Sequence, residues 1–224
     1  MNKLLTTMYG LAVALATGVA QAQPVTGDVA AGQTKIAMCI GCHGIQGYQA
    51  TFPEVYKVPK ISGQSAPYIA AALNAYKKGD RKHPTMRGIA DSLTEQDIAD
   101  VAAYYAQHGA DKPVELPATA REPSAAVGAL LQKGLCVSCH GANFAKPVDP
   151  MTPKIAGQNA DYLFVALKAY KTEGNQMVGR SNGVMAGVAK QFSNAELKAM
   201  ANYLGSLPGD LKIVPQSPVG PLRR

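Results

Sequence analysis

Two stretches of the chain carry apolar residues at helical spacing. Ile98, Val101, Ala102 and Tyr105 fall at i, i+3, i+4 and i+7, and Leu197, Met200, Ala201 and Leu204 repeat the pattern 99 residues later. Such a stripe is the buried face of an amphipathic helix. Each is preceded by residues spaced as a capping box, Thr94 with Asp97 and Ser193 with Glu196. Upstream, "PYIAAALNAYK" and "DYLFVALKAYK" predict another helix in each half, opened by Ser65 and by Asn159, both residue types suited to an N-cap. A first helix is expected from about Asp28 to the first cysteine, with its counterpart from about Ser124. No stretch alternates as a strand would, so the expected class is all-α, with three helices in each half.

The halves are copies. Pro59, Ile61, Gly63, Gln64, Tyr68 and Tyr76 match Pro153, Ile155, Gly157, Gln158, Tyr162 and Tyr170 at an offset of 94, while Met86 matches Met185 at 99. Two copies of this length make two similar domains rather than a solenoid. Between them "DKPVELPATAREP" holds three prolines, which fix their own backbone and donate no amide, so residues 111–123 read as an extended linker. The expected domains are 24–110 and 124–210, followed by a basic tail at 211–224. A core shared among so few residues is marginal, and a large buried cofactor would help hold each domain together.

The N-terminus and the charge refine this picture. Residues 1–22 carry one early lysine, an apolar run from Leu4 and the small-x-small sequence Ala20-Gln21-Ala22, the pattern of a cleaved signal peptide. An exported chain meets an oxidising compartment, where paired cysteines would ordinarily read as disulfides. The formal net charge of +7 is uneven: residues 24–111 sum to zero, whereas residues 124–210 carry eight basic and five acidic side chains. A basic second half suits an acidic partner or peripheral association with an anionic membrane surface. Its basic residues are dispersed, without the clustered stripe of a nucleic-acid-binding face.

The four cysteines all belong to two identical motifs, "CIGCHG" at 39–44 and "CVSCHG" at 136–141. A thioredoxin-type dithiol would want a βαβ setting and no histidine directly after the second cysteine. Zinc wants four ligands, and the remaining histidines, His83 and His108, both lie in the first half. Covalent haem uses every residue of the motif. Two thiols on one helical turn reach the vinyl groups of one porphyrin, and the next histidine is carried beneath the iron. Two haem c groups are therefore expected, attached at Cys39 and Cys42 and at Cys136 and Cys139, with His43 and His140 as proximal ligands.

Met86 and Met185 lie 43 and 45 residues after His43 and His140, at matching places in the repeat. Each is the candidate sixth ligand, because a thioether opposite histidine saturates the iron and raises its potential, as an electron carrier requires. Met177 and Met151 compete with Met185. His83, three residues before Met86, is expected as a solvent-facing loop residue, and His108 as a helix-end residue. Tyr68, Tyr76, Tyr162 and Tyr170 are expected mainly as core packing, with hydroxyls able to reach haem propionates or a domain interface. Gln64 and Gln158 are assigned no chemistry.

Taken together, the paired Cys-x-x-Cys-His-Gly motifs, the "PKI(S/A)GQ" blocks, the "Y…AL…AYK" helices and the downstream methionines resemble the cytochrome c4 family. The resemblance spans about residues 28–206 and implies two tandem class I cytochrome c domains in a periplasmic dihaem protein. It implies His43 with Met86 and His140 with Met185 as axial pairs. It also implies electron transfer without substrate chemistry, from a quinol-oxidising complex or other donor toward a terminal oxidase or reductase. The alternative is a protein of sulfur-compound oxidation or peroxide reduction that keeps one haem position open. The second half departs from the pattern: no proline stands two residues before Met185, and a "PLRR" tail follows.

Overall fold

The computed structural model describes residues 25–215; the expected signal peptide and residues 216–224 of the tail lie outside the described residues. The first half contains α1 (Val29–Lys35), α2 (Ala37–His43), β1 (Gln49–Ala50), β2 (Tyr56–Lys57), α3 (Ala66–Lys78), β3 (Arg81–Lys82), α4 (Pro84–Asp91) and α5 (Glu95–Gln107). The second repeats its helices and β3, without a counterpart of β1 and β2 among the described residues, as α6 (Ala125–Lys133), α7 (Cys136–His140), α8 (Ala160–Ala169), β4 (Gly179–Arg180), α9 (Gly183–Ala189) and α10 (Asn194–Gly205). The fold is all-α, and each half has five helices instead of the expected three. The long first helix is broken before the cysteines in both halves, at Ile36 and at Gly134–Leu135. A short helix carrying the methionine also precedes the last one.

The apolar stripes of α5 and α10 are buried throughout and lie at the centre of two separate cores. Both predicted capping boxes form, with the Thr94 and Ser193 side chains accepting from the third helical residue and Asp97 and Glu196 reaching back. Ser65 and Asn159 occupy the N-cap positions of α3 and α8, yet neither side chain caps its helix. They cross to the other half instead: Ser65 Oγ donates to the Pro150 carbonyl at 2.5 Å and Asn159 Nδ2 to the Val58 carbonyl at 2.9 Å.

The halves meet through polar contacts. β3 pairs antiparallel with β4, setting Arg81 opposite Arg180, and Lys168 pairs with Glu54 at 2.6 Å. Lys57 N–H donates to Asp161 at 2.9 Å, and Lys212 bridges back to Ser62. The segment 111–123 has no helix or strand, and its later part lies on the second half, where Asn143 Nδ2 donates to the Pro117 carbonyl and Tyr203 Oη to that of Arg121. No helix among the described residues is long and apolar enough to cross a membrane.

The two halves close their terminal helices differently. A Cβ at Gly32 would lie 2.2 Å from the Asp100 carbonyl oxygen, so α1 crosses α5 backbone to backbone, whereas at the equivalent Gly128 of α6 the nearest atom is Pro123 Cγ at 3.5 Å. Beside that crossing the buried Asp100 carboxylate accepts from Asp28 N–H at 2.8 Å, Lys35 Nζ at 2.5 Å and Gln96 Nε2 at 2.8 Å. Those donors hold its pKa below the ordinary carboxylate value, the Asp28 amide first and Lys35 next. The matching place in α10 is Ala199.

Gly32→Ala should therefore destabilise the protein by about 1–3 kcal/mol through overpacking. Gly128→Ala should be neutral or stabilise it by up to about 1 kcal/mol through helix propensity; denaturant midpoints of the two variants check both. Folding depresses the Asp100 pKa, so its contribution is complete above the unfolded value of about 3.9 and is lost as pH falls through the lower folded value. Asp100→Asn should flatten the acid limb of a stability-against-pH curve and leave the protein less stable at neutral pH; an unchanged acid limb would assign the acid sensitivity to other carboxylates.

Candidate haem sites and the interface between them

α2 and α7 carry the Cys-x-x-Cys-His residues. In the second half Leu135 enters α7 in the left-handed region, with φ 50°, and the chain leaves at Gly141 with φ 78°. A Cβ on Gly141 would lie 2.0 Å from the Lys146 carbonyl oxygen, so only glycine allows the exit after His140. None of the four cysteines is in a disulfide, and only Cys139 is exposed. Burial pushes the Cys39 thiol up to about 11, against a hydrogen bond with Tyr105, and raises that of Cys136. Among the described residues no three His, Cys, Asp or Glu side chains converge to hold a metal ion, so neither motif has the further donors a zinc ion needs.

Both motif histidines are held from the side away from their free nitrogen. His43 Nδ1 lies 2.8 Å from the Pro59 carbonyl oxygen, and His140 Nδ1 lies 2.9 Å from that of Pro153. A carbonyl only accepts, so Nδ1 carries the proton in each ring and Nε2 keeps its lone pair. Burial lowers the pKa of both imidazoles and favours the neutral form, outweighing the two carbonyls. A neutral ring oriented through Nδ1–H is prepared to ligate iron through Nε2.

The two methionines occupy the same place in equivalent helices. Met86 and Met185 are each the third residue of a short helix, α4 or α9, and each amide donates to the side chain three residues earlier: His83 Nδ1 at 3.4 Å and Asn182 Oδ1 at 3.0 Å. Both are half-buried, and Met86 packs against the first core. Met151 and Met177 lie in loops, 54% and 50% exposed. His83 is not the expected solvent-facing loop residue. It is half-buried, caps α4, meets the Tyr56 hydroxyl through Nε2 at 3.0 Å and sits edge-on to Phe52. His108 ends α5 as expected and meets Ser62 Oγ at 2.9 Å.

Between the halves lies a cluster of paired tyrosines and arginines, of which the sequence pattern nominates the tyrosines. Arg81 and Arg180 face each other in the β3–β4 ladder. The Tyr162 hydroxyl accepts from Arg81 Nη2 at 2.6 Å and Arg180 Nη2 at 3.1 Å, and Arg81 Nη1 reaches the Tyr68 hydroxyl at 3.3 Å. Tyr76 and Tyr170 lie beneath the two guanidiniums. Burial raises the Tyr162 phenol, but Arg180 and Arg81 overcome it and bring the pKa down to about 8. Like charges directly opposite in a ladder repel. Among the described residues neither guanidinium has a carboxylate partner, and the buried Arg81 Nε has no acceptor. A ligand that brings carboxylates into this interface supplies the missing charge and acceptors, and haem, with two propionates, fits that requirement. The signal for these arginines was present in their spacing: 81 and 180 are 99 apart, the offset of the methionines.

Gln64 and Gln158 also lie at this boundary. Gln158 Oε1 accepts from Lys60 N–H and its Nε2 donates to the Lys60 carbonyl, each at 2.9 Å, and Gln64 makes the same pair with Lys154 at 3.0 Å. Their recurrence in both copies was the visible trace of this role.

Comparison with known proteins matches the "Cytochrome c" family model to residues 29–108 and 125–208. The chain is 32% identical over 219 residues to the cytochrome c4 of Stutzerimonas stutzeri, covering 92% of this chain and all of that protein. It is 30% identical over 185 residues to the thiosulfate dehydrogenase electron acceptor of Thiomonas intermedia, covering 80% of this chain and 82% of that one. The crystal structure of reduced recombinant cytochrome c4 from Pseudomonas stutzeri superposes with a TM-score of 0.58 at 29% identity, covering 82% of this chain and 100% of that structure.

The capping geometry separates two roles for His83. His83→Asn, which installs the residue found at the matching place in the second half, should keep the α4 cap. His83→Ala should cost about 1 kcal/mol, the usual loss for an N-cap. If His83→Asn altered the iron's ligand-sensitive spectrum, a ligand role for His83 would replace the capping role.

Proposed function

The chain belongs to the cytochrome c family and, within it, to the cytochrome c4 group of dihaem electron-transfer proteins with two haem c, and from that premise we propose a periplasmic electron carrier that performs no substrate chemistry. Cys39 and Cys42 on α2 would hold one haem through thioethers, and Cys136 and Cys139 on α7 the other. His43 with Met86 and His140 with Met185 would ligate the two irons. Each haem, when bound, supplies an iron that cycles between ferric and ferrous. The protein's part is to saturate that iron, orient its ligands and set its potential.

The observation that carries this reading is the equivalence of the two sites. Each half has a proximal imidazole bonded through Nδ1 to a proline carbonyl, and a methionine at the third position of a side-chain-capped helix. The same equivalence favours Met185 over Met177 and Met151, whose loops have no counterpart of that helix. Arg81, Arg180 and Tyr162 would hold propionates of the two haems at the boundary, bringing the redox centres together for transfer within the molecule. Apolar residues stand exposed on or next to both attachment helices, Met38 and Ile45 at the first and Leu135 and Val137 at the second. Such faces suit brief contact with redox partners.

Electrons pass from a quinol-oxidising complex toward a terminal oxidase in this reading, and the leader at 1–22 supports the periplasm as the place. The resemblance to a thiosulfate dehydrogenase electron acceptor favours a second upstream donor, an enzyme of sulfur-compound oxidation, with the chain still acting as carrier.

The ferric protein should show two thioether-to-iron charge-transfer bands and no high-spin component. Met185→Ala should remove one band and Met86→Ala the other. A high-spin haem in the unaltered protein would overturn the carrier reading in favour of an enzyme with an open iron position, and survival of both bands in Met185→Ala would overturn that ligand assignment.

A further inference from the structure

The glutamines at the boundary act on the histidines of the opposite halves through a single peptide group. The Lys60 N–H that donates to Gln158 Oε1 and the Pro59 carbonyl that accepts from His43 Nδ1 belong to the same peptide unit. The Lys154 N–H that donates to Gln64 Oε1 shares its unit with the Pro153 carbonyl that accepts from His140 Nδ1. An acceptor on a peptide N–H draws electron density toward its carbonyl oxygen, because the two are joined by amide resonance. Hydrogen bonds in such a chain strengthen one another.

We propose that Gln158 is a positioning residue for His43 and Gln64 a positioning residue for His140, so that each domain tunes the proximal ligand of the other. The arrangement is built to hold. Both glutamines are only 4% exposed. Each Oε1 also accepts the amide that opens its own helix, Ser65 N–H at 3.0 Å or Asn159 N–H at 2.9 Å. Each side-chain Nε2 closes a second bond on the same lysine, so the amide pairs with that residue as a strand would. The lysine side chains complete the lock: Lys60 Nζ donates to the Gly157 carbonyl at 2.6 Å and Lys154 Nζ to that of Gly63 at 2.8 Å.

The inference rests on His43 and His140 being the axial ligands. A stronger Nδ1–H···O bond makes the imidazole a more basic ligand. A more basic ligand stabilises ferric iron over ferrous and lowers the potential, so loss of the glutamine raises it. The effect is crossed: a change in one domain is read at the haem of the other.

The test uses the holoprotein with Gln158→Leu and Gln64→Leu, reading the two haem potentials by redox titration and the exchange of each His Nδ1–H by NMR in the reduced state. Gln158→Leu should raise the potential of the haem attached at Cys39 and Cys42 and speed exchange at His43 several-fold, leaving the other haem unchanged. Gln64→Leu should give the mirror image. Lys168→Ala, which breaks the Lys168–Glu54 ion pair across the same boundary without touching either peptide, should move neither potential. Should Gln158→Leu not accumulate as holoprotein, Gln158→Asn withdraws the acceptor by one methylene and carries the same crossed expectation. Shifts that appear at both haems alike, only in the altered domain, or not at all would overturn the proposal. Absence of axial-histidine ring signals from the unaltered protein would overturn the ligand reading and the proposal with it; their presence with uncrossed shifts would overturn the proposal alone.

Discussion

One peptide group in each half, Pro59–Lys60 or Pro153–Lys154, satisfies the motif histidine through its carbonyl and the opposite domain through its amide. A peptide has one donor and a carbonyl, both of which must be paired when buried. By directing the first across the boundary and the second to the imidazole, the chain makes the domain interface and the orientation of the motif histidine parts of one structure. The helices around each site follow from this requirement. α2 or α7 must bring the histidine to that carbonyl, and α3 or α8 starts where the glutamine turns its amide outward. The Ser65 and Asn159 side chains, which do not cap their own helices, add further bonds between the halves.

The duplication is faithful at the glutamine–lysine pairs and looser where the terminal helices close. The first half closes α1 on α5 at Gly32 and seals the crossing with Asp100 and Lys35. The second leaves Gly128 open and places Phe192 in the core of its domain. Such divergence is tolerated because each core needs only enough apolar burial and a matching shape to stay folded. The glutamine–lysine pairs tolerate less, since each of their bonds across the boundary has its counterpart in the other half.

Arg81 and Arg180 lead to the same conclusion from charge. Two guanidiniums opposite each other that meet tyrosine hydroxyls and rings but no carboxylate among the described residues are unfavourable in the protein alone, and carboxylates at that place would relieve them. The pairing of β3 with β4 brings the two cations together from both domains, so propionates held there would link folding, cofactor binding and domain docking. The tyrosines of α3 and α8, which read as core residues from their spacing, divide accordingly. Tyr76 is buried in the first core and also lies beneath Arg81, while the Tyr68 and Tyr162 hydroxyls serve the cluster.

The all-α class, the two copies, the amphipathic faces of α5 and α10 and the Cys-x-x-Cys-His motifs were legible from the chain alone. Each is written in local periodicity or in spacings of a few residues, and local backbone geometry obeys those rules wherever the segment lies. The break at Ile36, the capping role of His83 and the work of Gln64, Gln158, Arg81 and Arg180 were not. Gln158 and Lys60 are 98 residues apart, and nothing near either residue announces the other. Whether a buried glutamine caps a helix or grips a distant peptide depends on which surfaces meet, and only the packing of two whole domains determines that.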